Sequence, residues 1–187
     1  MGALGKAWTW LKAYTAHDDP PTAMANLVAL VVAWNQPFYP LYILWGVSPV
    51  IWPAYFTFLS TPFFAAVPAV SRRTAIGGRM LLCLAGLGNT ALSAKVFGVA
   101  SGVEIFLIPC ALLAVVLFRP KERAISYALV ALAVGIYLLR GHYGEPVHLY
   151  SADEYAALFK LNALSVATLT VFIGLLAAGR IAELEKR

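Results

Sequence analysis

Charge is scarce in this chain. Asp, Glu, Lys and Arg make up 12% of its 187 residues, against about 25% in a soluble domain. Hydrophobic residues reach 61% and the mean hydropathy is +0.76, which excludes an ordinary soluble globular domain. Cysteine is nearly absent: Cys83 and Cys110 both fall inside apolar stretches, so no secreted disulfide framework exists. Each reads as a small buried hydrophobe, with a redox or metal pair as the alternative. No HExxH, GxSxG, P-loop or CxxC occurs, which removes the usual signatures of metallohydrolase, nucleophilic, nucleotide and thiol-redox chemistry. The Gly86–Gly88 pair lies in an apolar stretch and reads as helix packing. The N-terminus lacks an apolar core with a small-residue cleavage site, so it is not a cleaved signal peptide. No repeat of 20–50 residues and no low-complexity segment interrupts the chain.

What is present is a series of six apolar stretches, each close to the ~20 residues that cross a bilayer. They run over about 22–45, 50–70, 75–97, 100–118, 124–139 and 152–178. The expected fold is all-α: a polytopic membrane protein of six transmembrane helices with both termini cytoplasmic. Residues 1–19 form a cytoplasmic amphipathic helix ahead of the Pro20-Pro21 break, with Trp8, Trp10, Leu11 and Tyr14 at near-helical spacing beside Lys6 and Lys12. Residues 22–179 form the transmembrane domain. Residues 180–187 continue the sixth helix and open a cytoplasmic signalling helix. The basic residues support this orientation. Lys6, Lys12, Arg72, Arg73, Arg79, Arg119, Lys121, Arg123, Arg180, Lys186 and Arg187 fall at one end of the spans, while Lys95, Arg140 and Lys160 fall at the other. Cytoplasmic loops collect Lys and Arg, so the net charge of +5 reflects membrane topology and lipid headgroups, and no nucleic-acid partner is implied.

The first span is unusual. Asn35-Gln36-Pro37-Phe38-Tyr39-Pro40-Leu41-Tyr42 carries two prolines, which break or kink a helix. Trp34, Phe38, Tyr39, Tyr42, Trp45, Trp52 and Tyr55 gather at the outer end of spans one and two. They read either as an interfacial aromatic belt or as the wall of an apolar pocket. Tyr39, Tyr42, Trp45, Trp52 and Tyr55 are therefore candidate ligand contacts, joined by Asn89 in span three and Glu104 in span four. Asn89 and Asn162 are expected to bond across helices. Lys95 and Glu104 are expected to pair across an outer turn, because ionisable groups near a span seek a partner. His17, Asp18 and Asp19 read as a solvated helix end. Ser151 with Glu154 forms a capping box at the start of span six.

The longest outer loop gathers His142, Glu145 and His148 around Gly144 and Pro146. Two imidazoles and a carboxylate suit a divalent metal ion, and a solvated loop explains the same residues. Haem is disfavoured, since no span carries a histidine near its middle.

The Pro/aromatic first span (QPFYPLYILW), the short turn into an aromatic second span, the basic loop before span three and the exiting last helix resemble a known module. They are similar to the six-helix membrane modules of bacterial class III adenylate cyclases, and to the sensor module of the Vibrio histidine kinase for α-hydroxyketones. The resemblance implies a non-catalytic sensory anchor in the inner (plasma) membrane. Such a module works as a homodimer, with Ala177, Ala178, Ile181 and Leu184 as a possible seam, and drives a cytoplasmic effector in cis. The effector's catalytic residues are not found here, and the ending in mid-helix implies that one follows. A small transporter or channel and a metal- or haem-binding membrane protein are the alternatives.

Overall fold

A computed structural model describes residues 3–185. Among these, all regular structure is helical. Five segments are long and apolar enough to cross a membrane: Pro20–Gly46, Trp52–Ser71, Ala75–Phe97, Pro120–His142 and Ala152–Ala182; Val103–Val116 is apolar but shorter. In chain order, α1 (Ala3–Thr15) precedes α2 (Pro20–Asn35), which passes through a 3-10 turn at Gln36–Phe38 into α3 (Tyr39–Gly46). A second 3-10 stretch, Trp52–Ser60, runs into α4 (Thr61–Ser71). Then come α5 (Ala75–Phe97), α6 (Leu107–Val116), α7 (Arg123–Leu138) and α8 (Ala152–Glu185).

The prolines explain these breaks. Pro37 and Pro40 cannot donate to the preceding turn, and the chain tightens to 3-10 geometry between α2 and α3. Span two begins with Trp52-Pro53 in a long 3-10 stretch. Span four, expected over about 100–118, is not a single α-helix. It consists of two 3-10 turns, Val99–Ser101 and Val103–Phe106, followed by the ten residues of α6. Its Pro109 lies in the first turn of α6, where a missing N–H is tolerated, so it starts the helix and does not kink it.

The hub is α5, which touches α2, α4, α6 and α7. Gly78 permits the closest approach: a Cβ there would stand 1.9 Å from Ser71 Oγ on α4. Small residues take this role in bilayers, where packing replaces the hydrophobic drive. One apolar cluster includes Val28, Phe64, Val67, Leu82, Leu113, Leu117 and Ile173. A second, formed by Ile43, Ala54, Val96, Phe97, Tyr150 and Leu158, knits the other end. The helix α8 leans chiefly on α6 and on the 3-10 turns before it, and only lightly on α2 and α3. At about 1.5 Å per residue, its 34 residues exceed a ~30 Å hydrocarbon core by more than a third. The capping box holds: Ser151 N donates to Glu154 Oε2 at 2.8 Å and Glu154 N to Ser151 Oγ at 3.3 Å.

Candidate functional site

Because α8 touches α2 so lightly, a gap opens between them. It forms a cavity of about 640 Å³, floored by α5 and α6 and walled by α2 and α8. Its apolar lining includes Val28, Val32, Phe64, Leu82, Phe106, Leu113, Leu161, Leu169 and Phe172. Its polar groups are Asn35, Gln36, Tyr39, Tyr42, Thr57, Asn89, Thr90, Ser93, Ser165 and Thr168. Among the described residues, none that lines it carries a charge.

A buried network stiffens one wall. Gln36 Nε2 donates to Thr57 O at 3.1 Å and to Ser60 Oγ, and Thr61 Oγ1 donates to Gln36 Oε1 at 2.6 Å. Ser60 Oγ in turn donates to Asn89 Oδ1 at 2.8 Å. These bonds tie the break in span one to spans two and three. Thr90, Ser165 and Thr168 each donate to a carbonyl of their own helix. Asn89 and Ser93 stand at the cavity beside this network, and Ser93 is only 3% exposed. These side chains set hydrogen-bonding groups into an otherwise apolar lining.

The candidate ligand residues divide. Tyr39, Tyr42 and Asn89 line the cavity. Trp45, Trp52 and Tyr55 are exposed and do not line it. Glu104 is buried outside the cavity, and its Oε1 has no hydrogen-bond partner. The expected Lys95–Glu104 pair does not form among the described residues. Lys95 Nζ instead donates to Glu145 O at 2.6 Å, because the loop between α7 and α8 folds over the end of α5. Removing the unpartnered oxygen by Glu104→Leu should raise the melting temperature, since a buried polar atom without a hydrogen-bond partner costs about 1–3 kcal/mol or more. A drop in melting temperature would show that Glu104 has a role this geometry does not reveal.

His142, Glu145 and His148 are not brought together. No three His, Cys, Asp or Glu side chains form a metal-holding group among the described residues. His148 packs edge-on against Tyr150, with ring centroids 4.6 Å apart, and against Trp52. Burial, with Glu154 and Tyr155 nearby, pushes the Tyr150 phenol up to about 12, and its hydroxyl donates to Val50 O at 2.9 Å. Asn162 is fully buried and bonds across helices as expected. It accepts from Tyr39 Oη at 3.1 Å and donates to Ser101 O at 3.0 Å.

The opposite, basic end holds a charge cage that sequence reasoning dispersed into solvated loops. Arg79 is 2% exposed and grips Glu122 with two nitrogens at 2.8 and 3.0 Å, while donating to Leu117 O at 2.7 Å. Arg119 N donates to Glu122 Oε2 at 2.9 Å and its guanidinium pairs with Asp19. Asp19 lies 3.9 Å from Arg79 and accepts from Thr22. It is therefore no solvated end. Its neighbour His17 meets Ser71 O at 3.2 Å, and Ser71 Oγ donates to the buried Asn26. Burial pushes the Asp19 carboxyl up, but Thr22, Arg119 and Arg79 outweigh it and hold the group below its ordinary value. The stability it adds is fully present above the unfolded value near 4 and is lost as the pH falls through the lower folded value. Acid unfolding below about pH 4 should be shallower in Asp19→Asn than in the wild type, and equal slopes in pH-dependent melting would reject this.

The amphipathic α1 docks on this end. Tyr14 Oη donates to Ala65 O at 3.1 Å, and Arg72 lies 4.7 Å over the Tyr14 ring. Trp10 is exposed and stacks on Tyr14. The Lys6 and Trp8 side chains and the tail beyond Glu185 lie outside the described residues. On α8, Ala177 packs partly buried against the apolar cluster, whereas Ala178 and Ile181 face outward.

Comparison with curated proteins and with solved structures gives no match. The family comparison does: residues 13–185 match MASE7, a membrane-associated sensor domain family. With a match that spans α2 through α8 and a ligand-sized cavity within the helices, the chain belongs to the MASE7 family of membrane sensor domains.

Proposed function

We propose that this chain is the sensory module of a signalling protein in the bacterial inner membrane. An uncharged small molecule with an apolar body and a hydrogen-bonding group occupies the cavity. Its polar group meets Asn89 Nδ2 and Ser93 Oγ, and its body lies against Phe172, Leu169 and Val32. Both chain ends are cytoplasmic, the module pairs with a second copy, and the last helix drives a cytoplasmic effector of adenylate cyclase type. The chain itself is not catalytic.

The observation that carries this reading is that the cavity wall and the exit are the same helix. Leu161, Leu164, Ser165, Thr168, Leu169 and Phe172 of α8 line the cavity, and α8 continues to Glu185. A ligand that prefers one position of α8 shifts the population of that position. The test is a fusion of the chain to an adenylate cyclase catalytic domain. Filling the cavity with Ser165→Phe should fix cyclase output at one level in every culture medium, while the unmodified fusion varies. Equal variation in both fusions would reject the reading. A metal-sensing version needs His142, Glu145 and His148 to gather, which this conformation does not do. The broken span one beside the cavity also fits a small transporter, since such breaks mark substrate sites; flux into liposomes would select that reading.

A further inference from the structure

The helix α8 is fastened to the bundle by polar bonds at two levels. Near its start, the fully buried Asn162 accepts from Tyr39 and donates to Ser101 O. Near its end, Arg180 Nη1 donates to Val116 O at 3.2 Å and lies 3.7 Å from Met24 Sδ. From position 162 to 180 is about five turns at 3.6 residues per turn, so the two side chains leave the same face about 27 Å apart. The cavity-lining residues of α8 from Leu164 to Phe172 fall between them, and Leu161 adjoins the first. The wall is thus a rod pinned at both ends with a void behind its middle.

The two pins are unequal. Asn162 makes two neutral bonds inside a packed aromatic cluster with Tyr39 and Phe97. Arg180 holds one carbonyl that has lost its helical partner at the end of α6. It does so in the field of the cage, where Asp19 attracts its guanidinium and Arg119 and Arg79 repel it. One bond to a carbonyl at 3.2 Å holds this end, against two bonds at Asn162. We propose that Arg180 is the yielding pin and a positioning residue for signal output: when the cavity wall is pushed outward, α8 pivots about Asn162 and its exit end leaves α6. This inference rests on the sensory reading above.

The test uses the full chain in nanodiscs with Cys83 and Cys110 replaced by alanine. Spin labels at Arg73→Cys and Ile181→Cys report the exit end, and labels at Tyr55→Cys and Ala156→Cys report the other end. Arg180→Ala should shift the exit distance by about 1–2 Å, the scale of helix shifts in switching proteins, and leave the other distance unchanged. Arg180→Lys, which keeps a donor for Val116 O, should restore the wild-type distance. Cavity filling by Ser165→Phe, or by Thr168→Phe should the first fail to fold, should reproduce the Arg180→Ala shift. An unmoved exit end in Arg180→Ala, or an equal shift at both ends, overturns the pin and leaves the sensory reading standing. A shift in Arg180→Ala with none in either cavity-filled variant overturns the sensory reading and this inference with it.

Discussion

Arg79→Ala is expected to be the most damaging single change in this protein, lowering stability by about 3–5 kcal/mol, the cost of leaving a buried charge unpaired. Arg79 and Glu122 are both almost fully inaccessible, with side chains 2% and 7% exposed. The pair is bidentate, and Glu122 accepts further from Arg119 N. Removing the guanidinium strands the carboxylate and also frees Leu117 O. The pair itself need contribute little, because desolvation offsets most of the attraction. Arg79→Met with Glu122→Leu should therefore recover most of the loss. Thermal unfolding in nanodiscs checks both statements. A single variant within about 1 kcal/mol of wild type, the range of an exposed pair, would show that the cage is solvated.

Gly102→Ala should rank second. Gly102 joins the two 3-10 turns of span four with φ +65°, a conformation that costs a residue with Cβ about 1–2 kcal/mol. A Cβ there would stand 2.3 Å from Phe159 Cδ2 on α8, and such overpacking adds about 1–3 kcal/mol. The two causes separate cleanly. Gly144 has a similar φ of +70°, but its Cβ would meet only Lys95 Nζ at 3.4 Å. Gly144→Ala should therefore show the backbone cost alone. Adding Phe159→Leu should relieve only the contact part in Gly102→Ala. Equal melting-temperature losses for the two glycine variants would contradict this division.

Much of the architecture was legible because the bilayer imposes it. Length, apolarity and Pro/Gly punctuation located the helices to within a few residues, and the Ser151–Glu154 box marked the start of α8 correctly. The 3-10 turns of span four are not legible in the sequence, because the apolar run extends over them and their hydrogen-bond pattern leaves no trace in hydropathy. The cavity was half visible. Tyr39, Tyr42 and Asn89 were singled out, yet the α8 side of the lining was not, because Ser165 and Thr168 are single small polar residues in a long apolar helix. The charge cage was hidden for another reason. Asp19, Arg79, Glu122 and Arg180 belong to four separate segments, and each looks like a solvated helix end until the fold converges them. The expected outer pairs failed for the same reason in reverse: Lys95 and Glu104 are near in sequence, but a backbone carbonyl from the loop was nearer to the ammonium.

The proposed topology has six passes, with the cavity within the membrane and the cage on the cytoplasmic side. Single cysteines at Arg73, Lys121 and Gly141 in a Cys83→Ala, Cys110→Ala chain test this directly, using a membrane-impermeant maleimide on intact spheroplasts. The account predicts labelling of Gly141→Cys alone, with Arg73→Cys and Lys121→Cys reacting only after permeabilisation. Labelling of Arg73→Cys or Lys121→Cys in sealed cells would contradict it.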